Sequence, residues 1–194
     1  EELTRIIYNA LDVAIVVRDG DNYKPSNDKN LLNTYLDAKK GKGIIQDNGI
    51  TDLSGVTRTD RLHCVIGDEI YESTYAMTGE MLGRQVEYYS TEDNEILYAF
   101  QTKNNNITRI AAVDLETADS QYTKNNVVYT EGNRKKNINI PQNVFVVYNG
   151  EALLSYDTND FKINEGDITC IDNDNDSKVD VVVIRNVQYC AVEK

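Results

Sequence analysis

The sequence predicts a mainly β protein of antiparallel sheets and hairpins, arranged as a small barrel or sandwich, with a short α-helical segment at the N-terminus. Three observations predict this class. Apolar residues recur with a helical period only before residue 43, and with a period of two afterwards. Turn signals such as Gly-Asp and Asn-Gly separate the later apolar runs. These runs follow one another without helical crossovers, which favours antiparallel pairing.

We expect residues 1–42 to form the helical N-terminal segment. Its first helix is predicted from one apolar stripe, which consists of Leu3, Ile6, Ile7, Ala10 and Leu11. A short strand over residues 13–17 and a turn over residues 19–22 follow. A second helix is predicted to begin at residues 25–28, where Ser26 or Asn27 is the cap, and to end at Gly41 and Gly43. Its apolar stripe is Leu31, Leu32, Tyr35 and Leu36.

Residues 43–194 are expected to form one β-rich module or two subdomains. The predicted strands cover residues 62–66, 69–73, 84–89, 95–101, 108–115, 127–130, 143–148 and 151–155, and a last hairpin lies within residues 166–192. Gly67-Asp68 and Asn149-Gly150 are predicted hairpin turns. Residues 104–106 and 132–136 are predicted polar loops.

Charge excludes several functions. The chain of 194 residues carries 32 acidic and 20 basic side chains, for a net charge of −12. We therefore expect it to bind neither nucleic acid nor an anionic membrane surface.

No apolar run is long enough for a membrane span. Its single histidine excludes metal sites that need two imidazoles. The three cysteines, an odd number without CxxC spacing, are expected to be small buried apolar residues.

The last hairpin contains an acidic loop whose carboxylates alternate along the chain: Asp172, Asp174, Asp176 and Asp180. Side-chain oxygens at this spacing, together with the Lys178 carbonyl, resemble the first half of a calcium loop. Ser177 and Val183 replace the Gly and Glu of an EF-hand, so a hairpin calcium loop is the form expected. The alternative is a solvated turn in which the Asp side chains cap their own backbone.

Several motifs, in order along most of the chain, resemble a β-rich module that follows the S-layer homology repeats in large Gram-positive cell-surface proteins. The closest resemblance is GDITCIDNDND (residues 166–176) with KVDVVVI (178–184), where that module usually reads IDNDGDGKxD. The other motifs are LTRIIYNAL (3–11), GII (43–45), TDLSG (51–55), LGRQVEYY (82–89) and VYNG (147–150).

This resemblance implies a noncatalytic structural or assembly module, exported to the bacterial cell surface. Its partners would be other proteins or further copies of itself, and repeats N-terminal to this chain would bind a cell-wall polymer. One alternative is an assembly subunit of a phage particle or an extracellular filament, in which edge strands pair between chains.

A second alternative is a carbohydrate-binding or glycoside-acting domain. Carboxylate pairs such as Glu69 and Glu72 would supply its chemistry, and Tyr88, Tyr89 and Tyr98 would stack on sugars. Cross-strand packing is the other interpretation of these tyrosines. His63 and Cys64 are adjacent on a predicted strand, so they should face opposite sides and form no catalytic pair. We therefore expect no enzyme.

Overall fold

A computed structural model describes residues 9–56, 59–116, 123 and 125–189. Most of these residues lie in strands, which confirms the mainly β class. The strands are β1 (Ala14–Asp19), β2 (Asn22–Asn30), β3 (Ala38–Asp47), β4 (His63–Ile66), β5 (Glu69–Glu72), β6 (Gln85–Thr91), β7 (Ile96–Gln101), β8 (Asn106–Ala111), β9 (Asn126–Glu131), β10 (Arg134–Asn139), β11 (Phe145–Tyr148), β12 (Glu151–Leu153), β13 (Gly166–Asp172) and β14 (Val181–Asn186). The short helices are α1 (Leu31–Tyr35) and α2 (Tyr75–Thr78), with 3₁₀ turns at Gly79–Met81, Ala112–Asp114 and Thr158–Phe161.

The described strands form two five-stranded sheets and two separate hairpins. The front sheet has the order β5-β4-β3-β6-β7 and is antiparallel throughout. The central sheet has the order β12-β11-β14-β13-β8 and is antiparallel except for the parallel pair β11–β14. The hairpins are β1–β2 and β9–β10. The strands of the described residues form no closed barrel, so of the two predicted arrangements the barrel is wrong.

The central sheet is buried on both faces. On β14, Val182 and Ile184 belong to one apolar core, whereas Val181 belongs to the core shared with the front sheet. Ile168 and Ile171 of β13 divide in the same way. Both faces of β14 are covered from Val181 to Ile184, which is why this strand begins with a continuous apolar run rather than with alternating apolar and polar residues.

The β9–β10 hairpin covers the core on the far side of the central sheet. Val127, Val128 and Tyr129 of β9 are buried there, and Ile138 of β10 packs against them. The prediction of a loop over residues 132–136 is wrong beyond the turn, since β10 begins at Arg134. Most side chains of β10 are polar and exposed, so the strand carries little apolar signal.

The prediction of a second long helix is also wrong. Residues 22–30 are extended, and helix α1 is only five residues long, capped by the side chain of Asn30. Asp37 has a φ of 47°, and β3 starts at the next residue. Lys39 to Gly43 therefore pair with β6, and the predicted domain boundary between residues 42 and 43 falls inside a strand.

The first predicted helix lies mostly outside the described residues. Residues 9–11 are helical, and Leu11 packs beside a small cluster that contains Leu32 and Tyr89. Leu3, Ile6 and Ile7 of the predicted stripe are not among the described residues.

Gly41 makes room for a buried aromatic pair instead of ending a helix. It lies opposite Tyr88 on β6, and a methyl group at position 41 would overlap the Tyr88 ring. That ring packs edge-to-face on Tyr71 with centroids 5.1 Å apart, and the two hydroxyls are 2.8 Å apart. The absence of a side chain at Gly41 thus lets a polar aromatic pair fit inside the front sheet.

We predict that Gly41→Ala lowers the free energy of unfolding by about 1–3 kcal/mol, because the added methyl group displaces the Tyr88 ring. Denaturant unfolding measures the change. The control is Lys42→Ala, at an exposed position of the same strand, which should change stability by less than about 0.5 kcal/mol. In a Tyr88→Leu background the Gly41→Ala cost should nearly vanish. An undiminished cost there would contradict the steric explanation.

Candidate functional site: the acidic loop

Asp172 organises the acidic loop between β13 and β14. Asp172 is 5 % exposed, and its carboxylate accepts three backbone hydrogen bonds. Oδ1 accepts from the amides of Asn175 at 2.6 Å and Asp176 at 3.2 Å, and Oδ2 accepts from the Ser177 amide at 3.0 Å. The loop therefore folds around one buried carboxylate. This group accepts hydrogen bonds from loop amides that have no partner strand to bond to.

Asp174 and Asp176 bind the loop backbone in the same manner. Oδ1 of Asp174 accepts from the Asp176 amide at 3.0 Å, and Oδ1 of Asp176 accepts from the Lys178 amide at 2.8 Å. The Lys178 ammonium lies 2.6 Å from Oδ2 of Asp176. These are the bonds of a self-capping turn, the alternative interpretation of the loop.

The same three carboxylates are also close enough to share a cation. One oxygen from each of Asp172, Asp174 and Asp176 lies within 4.8 Å of the others. Calcium–oxygen distances are about 2.3–2.6 Å, so three oxygens at this spacing can bind one ion. The geometry is compatible with a hard dication and does not select calcium over another.

Asp180 and Lys178, the other two predicted ligands, have different side-chain partners. Asp180 lies outside the three-carboxylate cluster, and its Oδ2 accepts from the Asn173 amide at 2.9 Å. Lys178, predicted to offer its carbonyl, places its ammonium on Asp176. An ion that binds here would compete with this ammonium for Asp176.

Two loop residues adopt left-handed backbone conformations. Asn175 has a φ of 63° and Ser177 a φ of 71°. They stand where the IDNDGDGKxD pattern has glycine. Asn adopts left-handed backbone conformations more readily than most residues, whereas Ser does not. The conformation of Ser177 therefore costs roughly 1 kcal/mol.

The pKa values of Asp180 and Asp176 are shifted in opposite directions. Burial raises the pKa of Asp180 above its usual value, and the nearby Asp174, Asp172 and Asp176 carboxylates raise it further. For Asp176, hydrogen bonds from the side chain and amide of Lys178 lower the pKa. The charged form of Asp180 thus lies in a place that disfavours charge.

Asn173 attaches the loop to the segment that leads into β6 of the front sheet. Its side-chain amide donates to the Gly83 carbonyl at 2.8 Å, across 90 residues of sequence, and Asn173 is 5 % exposed. In the sequence, Asn173 alternates with the Asp residues of the loop, so no local signal distinguishes it from an exposed loop residue. The loop is therefore a joint between the two sheets as well as a turn.

The residues weighed for catalysis do not meet. The His63 side chain is half-exposed and its Nδ1 lies 2.7 Å from Oδ1 of Asp60, whereas Cys64 is fully buried. Burial raises the pKa of the Cys64 thiol to about 11, so it is not a thiolate near neutral pH. Cys170 is buried too, as expected, and Cys190 lies outside the described residues.

The tyrosines weighed for sugar stacking are mostly buried. Tyr88 and Tyr89 are 8 % and 6 % exposed, so both side chains pack inside the protein. Tyr98 is exposed and lies opposite Tyr89, with its ring 5.9 Å from that of Phe100. Because Tyr88 and Tyr89 are buried, they cannot join the exposed Tyr98 in a platform for sugar stacking.

Comparison with protein-family models, with curated proteins and with solved structures gave no match for this chain. Within the described residues, no helix combines the length and the apolar character that crossing a membrane requires.

We predict that Asp172→Asn lowers the free energy of unfolding by about 1–3 kcal/mol even in chelator, because an amide nitrogen replaces one acceptor oxygen facing the loop amides. The control is Asp174→Asn on the exposed part of the loop, with an expected change of less than about 0.5 kcal/mol. Thermal unfolding in EDTA measures both. Equal effects would show that Asp172 does not organise the loop.

Asp180 gives a pH-dependent prediction. Its pKa is raised in the folded state, so the folded chain holds this proton more tightly than the unfolded chain. The charged form consequently destabilises the fold above the raised pKa, and protonation removes that penalty as the pH falls through it. Asp180→Asn should stabilise the chain more at pH 7 than near the usual Asp pKa of about 4. A stabilisation that does not change with pH, measured in chelator, would contradict this sign.

Proposed function

We propose that the chain is a noncatalytic structural module of an exported bacterial cell-surface protein, of the S-layer-associated kind that its motif order resembles. The observation that carries the proposal is the central sheet, whose two faces are both taken up by apolar cores. A sheet covered in this way holds layers together. The separation of His63 from Cys64 is consistent with the same role.

The proposal includes calcium in the acidic loop. The support is the approach of Asp172, Asp174 and Asp176 to within 4.8 Å in a loop that already orders their side chains. A dication there would offset the repulsion among the carboxylates and with Asp180. Since the loop also holds Asn173 against Gly83, the ion would stabilise the joint between the sheets.

A second candidate function is an assembly subunit of a phage particle or filament. The observation that favours it is the β1–β2 hairpin, which is two strands only and exposes large apolar side chains on itself and on the residues before and after it. They are Val13, Val16, Tyr23, Tyr35 and Leu36, all more than half exposed. An isolated hairpin is marginally stable in water, so a partner chain would stabilise this one.

Sedimentation velocity over a wide concentration range separates this candidate from the first. An assembly subunit should associate, and Val16→Glu should weaken the association, whereas Val113→Glu at another exposed position should not. A monomer at all concentrations would contradict the assembly role.

We predict that calcium raises the melting temperature relative to EDTA. With a dissociation constant on the order of 10⁻⁴ M, as in extracellular modules, about 2 mM calcium adds about 2 kcal/mol, or roughly 4–7 °C. Asp174→Asn removes one carboxylate charge from the site and should reduce the shift, while leaving the melting temperature in EDTA nearly unchanged. An identical melting temperature with calcium and with EDTA would remove the ion from the proposal.

Because the proposed role is noncatalytic, we predict that the chain does not turn over chromogenic glycosides, esters or peptides above the buffer rate. The decisive comparison uses His63→Asn and Glu69→Gln beside the unmodified chain. Turnover that either substitution abolishes would contradict a structural role.

A further inference from the structure

An arginine-lined groove lies where the central sheet extends past the front sheet. On one face of β13, Ile171 is buried against the front sheet, while Thr169 and Asp167 continue into the groove. The groove has a volume of about 700 Å³ and its other wall is formed by residues near 48–51 and 79–84. This volume is in the range of small-ligand sites.

Three of the chain's eight arginines line this one groove, although the chain as a whole is strongly acidic. They are Arg84, Arg109 and Arg185, and the acidic residues that face them are Glu80 and Asp167. The charged lining therefore carries one net positive charge. Such a local sign reversal draws a small anion into a site that the rest of the surface would repel.

Asp167 holds two of the arginines side by side. Its Oδ2 accepts from Nη2 of Arg109 at 2.9 Å, and from Nε and Nη2 of Arg185 at 3.1 Å and 2.5 Å. Burial alone would raise the pKa of Asp167, but these hydrogen bonds outweigh it and lower the pKa, so the anchor stays charged. The two guanidinium groups are thus oriented in advance of any ligand.

Both guanidinium groups keep donors for a further acceptor. Each has five N–H groups, and Asp167 uses one from Arg109 and two from Arg185. Their side chains are 62 % and 60 % exposed, so the remaining donors are accessible. Nε of Arg84 is buried without a hydrogen-bond partner among the described residues. The charges of Arg109, Arg185 and Asp167 sum to one positive charge, which a ligand with a single negative charge would neutralise.

The groove also has an apolar part. Val147 and Ile171 form its buried floor, and Ile50 and Val187, each almost half exposed, lie at its edge. We propose that the groove binds a carboxylate-bearing ligand with an apolar body, its carboxylate held by Arg109 and Arg185 and its apolar part between Ile50 and Val187. The ligand is either a small organic acid or an acidic side chain of a peptide. This binding is independent of the structural role proposed above.

The test is a proton–nitrogen NMR titration of the whole chain with hexanoate. Hexan-1-ol is the neutral analogue, and inorganic phosphate is an anion without an apolar body. Hexanoate should shift the amide signals of Asn149, Thr169 and Arg185 saturably, and at least about tenfold more tightly than hexanol or phosphate. Equal binding of hexanol, tighter binding of phosphate, or shifts confined to other regions would overturn the proposal.

Two variants and one control assign the binding to the groove. Replacing Arg109 and Arg185 by Gln and Asp167 by Asn removes the charges without leaving Asp167 unpaired, and should weaken hexanoate binding at least about tenfold. Ile50→Asp, at an exposed position, keeps the ion triad and should weaken binding as well. Arg134→Gln, on the exposed face of β10, should leave it unchanged. Unweakened binding by Ile50→Asp would overturn the proposal even if the triple variant fails to fold.

A capped Val-Asp-Val peptide and its Val-Asn-Val counterpart distinguish the two ligand sources. Binding of the Asp peptide and not the Asn peptide assigns a protein partner, and binding of hexanoate alone assigns a small acid. Binding of neither carboxylate overturns the proposal.

Discussion

Burial of the central sheet on both faces is the constraint on which the rest of the structure depends. Successive residues of β14 enter different cores, so each strand of this hairpin serves two layers at once. Each fully buried Val or Ile contributes about 1.5–3 kcal/mol relative to exposure. Loss of β13–β14 would therefore open the cores on both sides of the sheet.

The two candidate sites lie at opposite ends of that hairpin. The acidic loop joins its strands beyond Asp172, and the arginine groove begins at Asp167, near the start of β13. Both ends project charged groups from a rigid apolar centre. The loop compensates its charge with its own backbone amides, whereas the groove compensates a carboxylate with two cations and retains positive charge.

Sequence patterns predicted those parts of the fold that depend on neighbours in the chain. Strands with alternating burial and the Asn149-Gly150 turn, whose φ angles are 49° and 89°, carry their signal locally. The second helix is predicted too long because the apolar pattern fits only the short helix α1, and the residues after it belong to β3. The parallel pair β11–β14 has no local signal, since its partners are 36 residues apart. The same holds for the groove, because Arg109 and Asp167 are separated by 58 residues. For the acidic loop, the sequence predicts which carboxylates lie together but not that the Asn173 side chain is buried against Gly83.

Native-state hydrogen exchange tests most directly the claim that the central sheet couples the two cores. The amides to compare are those of Val86 in the front sheet and Ile168 in the central sheet, over a denaturant series. Coupling predicts that both exchange with the same free energy of opening and the same denaturant dependence, as parts of one cooperative unit. A front sheet that opens at a clearly lower free energy, while Ile168 stays protected, would contradict the account.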